Sequence, residues 1–454
     1  VGSTKKDQSG WGNLRFESCH VVQPHSLAAV QQVVTDGEHR SYICRGLGRS
    51  YGDSAVNRDE GVILQTGLNR FLDFDEATGV LECEAGVSFA EIMDVFLPRG
   101  WFLKTTPGTK YVTVGGAIAA DVHGKNHHRD GSFGNFVLSL ELLTAAGEVL
   151  SCSPSENEDV FWATIGGMGL TGVVLSARIQ LAEVESAYCK VRYRRTANLD
   201  ESLDFFESTD RDYRHSVAWV DCLASGKSLG RSVLMLGNEA AAAELPPRLR
   251  NRPLTIPAKR GKSVPFCFPG VVLNSYSVRA FNWLFYARHR DGHRFVDYDT
   301  YFYPLDAVSH WNRVYGKRGF IQYQALFPPQ TSRRGLIELL EVIAKSRKAS
   351  FLAVLKRSGP ASQGMLSYLR PGHTLALDFK NTGEDLRRLV QHLDNLVLKH
   401  GGRLYLAKDA MTSPEAFRCM YERLDEFRKV KRRIDPDNRF ASSQARRLGI
   451  VDCA

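Results

Sequence analysis

Two glycine-rich segments restrict what this chain can fold into more than any other feature. The first, RGLGRSYGD (45–53), follows the strand-like run SYIC (41–44). Gly46, Gly48 and Gly52 let the backbone curl so that successive N–H groups point at one anion, and Arg45 and Arg49 add positive charge. No helical pattern follows, so this reads as an anion-cradling loop between strands, not a Walker loop. The second, PGTKYVTVGGAIAADVHGKNHH (107–128), holds Gly108, Gly115 and Gly116, which admit a large planar ligand close to the backbone. A lone glycine loop is most simply a turn. Two of them favour a shared pocket.

The end of the second segment, DVHGKNHH (121–128), concentrates three histidines, a lysine and a carboxylate. Metal binding is disfavoured there. Gly124 and Asn126 are poor helix residues between His123 and His127, His127 and His128 would diverge in an extended strand, and Lys125 repels a cation. A hydrogen-bonded polar wall and a cofactor or catalytic site both remain open. GMGLTG (167–172) fits G-x-G-x-x-G, but a helix-like segment precedes it and β-branched VVLSARIQL follows. The dinucleotide fingerprint needs the opposite order, so a tight turn is expected.

Composition narrows the classes further. A chain of 454 residues, 43% hydrophobic and 24% charged, predicts a globular protein of two domains. No apolar run is long enough to cross a bilayer, and VGSTKKDQSGWG lacks the apolar core of a signal peptide. Nine scattered cysteines without a Cys-x-x-Cys pair predict reduced packing thiols, neither a zinc ribbon nor a disulfide framework. The net charge of +9 favours anionic partners: a phosphorylated ligand, nucleic acid or acidic lipid.

Strand-like runs at 61–66, 79–87, 140–150 and 172–181, with helical patches at 88–100 and 157–167, make 40–185 a β-rich unit. Residues 187–402 read as an α+β unit, with strands at 216–223, 318–327 and 350–357 and an amphipathic helix over 333–348. Residues 414–436 read as one amphipathic helix ended by Pro436. The stretch 246–272, rich in Pro, Arg and Lys, leads into aromatic FNWLFYARHR (281–290). It is either a solvated connector or a surface for anionic lipid, with Phe266, Phe268, Trp283 and Phe285 beside Arg248, Arg250, Lys259 and Arg260. Nucleic acid is not expected, because no groove-reading helix or recognised motif accompanies the patch.

These segments, with GSFGNFV (131–137), FWATIGGMGLTG (161–172), FIQYQ (320–324) and GGRLYLAKD (401–409), resemble the decaprenylphosphoryl-β-D-ribose 2-oxidases. Those are flavin subunits of an arabinose-donor epimerase, in the vanillyl-alcohol-oxidase-like FAD superfamily. The similarity runs from residue 10 to residue 448. It implies an α+β fold with a two-lobed FAD-binding domain over 1–186 and a substrate domain with an antiparallel sheet over 187–402. A C-terminal segment, 403–454, would complete the first domain. By matching motifs, the FAD diphosphate would meet Arg45, Gly46, Leu47, Gly48, Arg49, Ser50, Tyr51, Gly52, Asp53 and Ser54. The rest of the cofactor would meet Gly108, Thr113, Val114, Gly115, Gly116, Ala120, Asp121, Val122, His123, Val174 and Tyr405. Relatives that attach FAD covalently use a histidine in an R-S-G-G-H-S loop. Arg49 stands at that place, so non-covalent FAD is expected.

The implied reaction is oxidation of a ribose 2-hydroxyl to a ketone, with hydride leaving the sugar carbon for the flavin. Lys408 matches the family's active-site lysine, as base or as phosphate or hydroxyl anchor, and His123 joins it as a catalytic candidate. Tyr51, Lys125, Trp219, Gln322, Gln324, Lys356 and Asp378 match substrate-pocket positions. In PGHTLALDF (371–379) Ala376 replaces a pocket cysteine, and Thr374 and His373 also differ, which leaves substrate choice open. The implied partners are a polyprenylphosphoryl-ribose substrate, an NAD(P)H-dependent 2-keto reductase and an anionic membrane surface; no metal and no nucleic acid are expected. A peripheral place at the cytoplasmic membrane face is the default, with the periplasmic face left open. The pathway would be synthesis of cell-wall arabinan, in arabinogalactan and lipoarabinomannan. The competing enzyme reading is an alditol or aldonolactone oxidase acting on a soluble polyol. Outside enzymes, the competitor is a lipid-binding module.

Overall fold

Short apolar runs bounded by glycine turns pair into three main sheets in the computed structural model, which describes residues 2–451 except 258, 260 and 271. The first sheet, ordered β1-β2-β4-β3, comprises Thr4–Gln8 (β1), Glu17–Val22 (β2), Tyr42–Arg45 (β3) and Gly61–Leu64 (β4). β2 and β3 both run parallel to β4, so a crossover must join them, and helix Leu27–Thr35 (α1) supplies it. Ser26 caps α1 by accepting from the Ala29 N–H, and Val30, Val33 and Val34 bury its inner face. The β-rich unit therefore starts at residue 4, well before the stretch that announces it in the sequence.

The second sheet is antiparallel, ordered β5-β6-β10-β8-β9, with β7 also paired to β10. It comprises Phe71–Asp75 (β5), Val80–Glu84 (β6), Trp101–Leu103 (β7), Val137–Leu143 (β8), Val149–Cys152 (β9) and Val173–Glu183 (β10). Helix Phe89–Phe96 (α2) joins β6 to β7. Between β7 and β8 the second glycine-rich segment winds into two short helices, Val114–Ala119 (α3) and His127–Asp130 (α4). His127 and His128 thus sit in a helical turn, not in extended chain, because the Asn126 carbonyl accepts from both the Arg129 and Asp130 N–H groups. Helix Glu158–Thr164 (α5) precedes β10, and the glycines between them form the expected turn.

The third sheet, antiparallel throughout, runs β15-β11-β13-β12-β18-β19-β17-β20. Its strands are Tyr188–Thr196 (β11), His215–Val220 (β12), Ser232–Glu239 (β13), Gly292–Asp297 (β15), Phe320–Phe327 (β17), Ala349–Ser358 (β18), Gly372–Lys380 (β19) and Arg403–Leu404 (β20). Lys262–Ser263 (β14) and Val308–Ser309 (β16) form a separate two-stranded ladder. Strand side chains alternate between faces. Ala218, Leu234, Leu355, Leu375, Leu377 and Phe379 form the buried face, under helices Leu199–Thr209 (α6), Pro329–Ser346 (α10) and Glu384–Lys399 (α11). The opposite face carries Tyr193, Met235, Val217, Trp219, Val354, Lys356, Ala376, Thr374, Gln324 and Gln322. Helices Pro247–Arg250 (α7), Ser275–Arg288 (α8) and Tyr298–Phe302 (α9) lie in the long excursion between β13 and β17.

The tail corrects one expectation. Residues 414–436 form two helices, Pro414–Met420 (α12) and Leu424–Ile434 (α13). Tyr421 breaks them apart with φ −118 and ψ 84, since its ring is buried and its hydroxyl donates to the Leu404 carbonyl at 2.6 Å. After α13 the chain returns to the first sheet. Phe440 bridges Tyr42, the Arg439 guanidinium donates to the Val34 carbonyl, and Arg447, in Ser443–Arg447 (α14), pairs with Asp53 at 2.7 Å.

Candidate active site

A cavity of about 860 Å³ lies between both glycine-rich loops and the open face of the third sheet. Gly46 lets the two loops meet, because a Cβ there would stand 2.2 Å from Thr113 Oγ1. Thr113 in turn caps α3, accepting from the Gly116 N–H at 3.2 Å. Gly48 takes φ +66, a backbone conformation that side chains disfavour. Among the described residues, the backbone N–H groups of Leu47, Gly48, Arg49 and Ser50 meet no acceptor. The Ser54 hydroxyl, buried on the same wall, has no partner either. A row of free donors beside glycine backbone is what the oxyanions of an FAD diphosphate need, so the residues fit the implied cofactor.

Most of the expected cofactor positions line this cavity: Gly46, Leu47, Gly48, Arg49, Ser50, Tyr51, Ser54, Gly108, Thr113, Gly115, Gly116, Ala120, Val122, His123, Val174 and Tyr405. The Tyr405 hydroxyl donates to the Ala120 carbonyl at 2.8 Å, tying the tail to the second loop. Five others do not reach it and hold the loops from behind. Arg45 donates to the Ala55 and Ser9 carbonyls at 3.0 and 2.8 Å. Asp53 is taken by Arg447, and Asp121 accepts from the Gly134 N–H and the Ser367 hydroxyl. Gly52 packs against the Asp409 carbonyl, and Val114 is wholly buried in the core. Arg49 stacks over Trp11 at 4.3 Å and Tyr111 at 5.8 Å, an aromatic clamp that nothing in the loop motif announces.

Opposite lies a wall of cations. Lys125, Lys356 and Lys408 all line the cavity, with His123, Tyr51, Gln322, Gln324 and Trp219. The surface these lysines expose is cavity wall, and the protein around them replaces most of the water an ammonium needs. Burial is the main reason Lys408 and Lys125 are each pushed down to about 7 and Lys356 to about 8; proximity to Lys356 lowers the first two further, while Asp378 pulls Lys408 the other way. Lys408 Nζ stands 3.9 Å above the Tyr51 ring. Lys125 donates to the Tyr301 carbonyl and lies 4.1 Å over its ring. Burial, then Lys356, His127 and Lys408, hold His123 well below the usual histidine range. Its Nε2 accepts from Gln324 Nε2 at 3.0 Å, consistent with a neutral ring.

Asp378 does not reach the wall. It is fully buried and accepts from the Tyr315 hydroxyl and from Gln322 Nε2, both at 2.8 Å. Burial, partly offset by those two donors and by Lys408, pushes its carboxyl up to about 7. His127 Nδ1 accepts from the Ser358 hydroxyl and the Gly359 N–H, and His128 meets the Tyr213 carbonyl. Among the described residues no three His, Cys, Asp or Glu side chains converge on a metal-sized space.

Sequence reasoning missed much of the apolar wall: Tyr193, Val217, Met235, Phe281, Tyr301, Phe302 and Val354. The available signal was alternation, since Gln322/Gln324, Lys356 and Trp219 fix which face of each strand looks inward. The 246–290 stretch also divides differently from expectation. Phe285 turns inward, 4.5 Å from the Trp219 ring, while Phe266, Tyr276 and Trp283 stand 61, 79 and 62% exposed. Arg250 donates to the Ala243 and Leu245 carbonyls and Lys259 pairs with Asp297, so neither is a free surface cation; Arg260 lies outside the described residues. Arg248 is exposed without a carboxylate partner among the described residues, as are Arg279, Arg288 and Arg290 on or just after α8. No helix among the described residues is long and apolar enough to cross a membrane.

Comparison with known proteins matches residues 19–153 to the FAD binding domain and residues 336–448 to D-arabinono-1,4-lactone oxidase. The chain is 40% identical to decaprenylphosphoryl-beta-D-ribose oxidase of Mycolicibacterium smegmatis, over 99% of this chain and 98% of the relative. It is 34% identical to an uncharacterized protein of Streptomyces coelicolor over 80% of this chain and all of that one. L-gulono-1,4-lactone dehydrogenase of Mycobacterium tuberculosis is more distant, 22% identical over 94% of this chain and 95% of its own length.

Proposed function

The chain belongs to the decaprenylphosphoryl-β-D-ribose oxidase family of FAD-dependent oxidoreductases, and from that premise we propose that it oxidises the 2-hydroxyl of a polyprenylphosphoryl-β-D-ribose to the 2-keto sugar. The observation that carries this reading is the set of three lysines. Lys125, Lys356 and Lys408 share one cavity wall, and none is ion-paired among the described residues. Buried cations without a counter-ion are costly until an anion joins them, and a sugar phosphodiester brings one.

Lys125 and Lys356 hold the phosphate in this scheme. Lys408, whose ammonium burial has weakened, takes the proton from the 2-hydroxyl through its free amine. Tyr51 supports Lys408 from below, and the buried Asp378 stabilises the positive charge that develops on it. Gln324 fixes neutral His123 as a rigid side of the site, so that the sugar carbon is presented in one orientation. Bound FAD supplies the hydride acceptor. The keto product then requires an NAD(P)H-dependent reductase to become the arabinose donor for cell-wall arabinan, including arabinogalactan and lipoarabinomannan. The basic and aromatic surface of α8 suits peripheral contact with an anionic membrane, on the cytoplasmic face by default.

The test is anaerobic. A ribosyl phosphodiester should bleach the flavin absorbance of the purified protein, whereas arabinitol and sugar lactones should leave it unchanged. Bleaching by the neutral sugars alone would transfer the protein to the lactone and polyol oxidases.

A further inference from the structure

We propose that the isoprenoid chain of the substrate lies across the third sheet, in the arm of the cavity between α8 and strands β11, β12, β13 and β18. The inference rests on the polyprenylphosphoryl reading above. The cavity face of this sheet changes character along its width. At β17 and β19 it carries Gln322, Gln324 and Thr374; on β18 Lys356 and Val354 stand two residues apart. Beyond them come Trp219, Val217, Met235 and Tyr193. Strand register fixes the sequence of contacts: Lys356 faces Thr374, Val354 faces both Ala376 and Trp219, and Met235 lies between Val217 and Tyr193. A ligand whose phosphate rests on Lys356 therefore meets carboxamides and a hydroxyl on one side and the uncharged side chains of Trp219, Val217, Met235 and Tyr193 on the other.

α8 covers that second side. Phe281 and Phe285 line the arm from above, with the Phe285 ring 4.5 Å from the Trp219 ring and tilted by 39°. The helix is anchored at several points, among them the Tyr286 hydroxyl, which donates to the Thr196 carbonyl at 3.3 Å. Val278 and Asn282 are its buried residues, and Asn282 Nδ2 donates at 2.7 Å to Asp221, which is itself paired with Arg231. The outer side presents Tyr276 and Trp283, 79 and 62% exposed, with Arg279 and Arg288. One helix thus separates an apolar arm from a surface of aromatics and cations, the composition suited to lipid headgroups. A hydrocarbon chain is the ligand that such a wall removes from water, and a hydroxylated one would leave its polar groups unpaired there.

The experiment uses the FAD-loaded protein and two probes without sugar, farnesyl phosphate and ethyl phosphate, titrated calorimetrically. Wild type should bind the farnesyl compound at least tenfold more tightly. Val217→Trp, which fills the arm, should remove at least tenfold from farnesyl affinity and leave ethyl phosphate within twofold. Phe285→Ala, at a half-buried site less exposed to misfolding, should reduce the farnesyl preference about threefold or more. Retained flavin absorbance reports that each variant is folded. Equal wild-type affinity for both probes, or a chain preference that survives both substitutions, overturns the proposal. If the preference holds but a ribosyl phosphodiester fails to bleach the flavin, the reaction falls and the arm stands.

Discussion

Lys408 shows how a residue late in the sequence acquires its chemistry from neighbours that the sequence keeps far apart. Its amine sits over Tyr51 from the first glycine loop and within electrostatic reach of Asp378 on β19. Burial brings it to about 7, which suits the base proposed for the reaction. The sign is testable. A base must be unprotonated, so at saturating substrate the rate of anaerobic bleaching should rise with pH through roughly 7, whereas an anchoring ammonium at Lys408 would give a curve that only falls; deprotonation of the phosphate anchors Lys125 and Lys356 should weaken substrate binding as pH rises further. Lys408→Ala should keep its yellow colour and lose bleaching by about a hundredfold or more, the usual reach of a positioned base. Arg49 carries a second prediction. A guanidinium clamped by Trp11 and Tyr111 offers no nucleophile to the flavin, so acid precipitation should release all FAD into the supernatant, and flavin fluorescence left on the denatured chain would exclude non-covalent binding. At this scale the glycine loops and the lysines were legible as motifs. The displacement of Asp378 behind Gln322 was not, because it depends on the Tyr315 hydroxyl, 63 positions away, and no local pattern encodes that.

Strands were read more faithfully than helices. Alternation survives in β12, β17 and β18 because one face of the third sheet is core and the other is cavity, so a slip of one residue would exchange them. The apolar spacing of the tail continues through Tyr421 and so resembles one helix; only the tertiary bond to Leu404 divides it. At the end of α13, Lys431 and the capping residue Asp435 form a buried pair at 2.6 Å, and Lys431 also donates to the Leu170 and Phe440 carbonyls. Removing one partner leaves an unpaired buried charge, so Lys431→Ala should cost about 3–5 kcal/mol in denaturant unfolding. α8 carries the surface prediction. Arg279→Glu with Arg288→Glu should weaken binding to anionic vesicles in a flotation assay while neutral vesicles show no change. Loss of neither would return α8 to the status of a solvated cover.

Taken whole, the molecule is two glycine-loop lobes facing a broad sheet, and the cavity exists only where all three meet. The sequence resemblance conveyed that plan, whereas pattern alone gave strands without their partners: nothing local says that β20 extends the third sheet or that Phe440 pairs with Tyr42. Closure of the first loop by the Arg447–Asp53 pair spans 394 positions, and it sets a clock. At the ordinary pace of synthesis, about 5–20 residues per second, the ribosome needs on the order of 20–80 s to deliver Arg447 after Asp53 has emerged. During that interval the free donors of the first glycine loop are already made while the tail that braces them does not yet exist. Flavin should therefore be captured at the end of synthesis, and nascent chains arrested before residue 403 should carry no flavin fluorescence. The cell must keep a half-built lobe out of trouble for the better part of a minute.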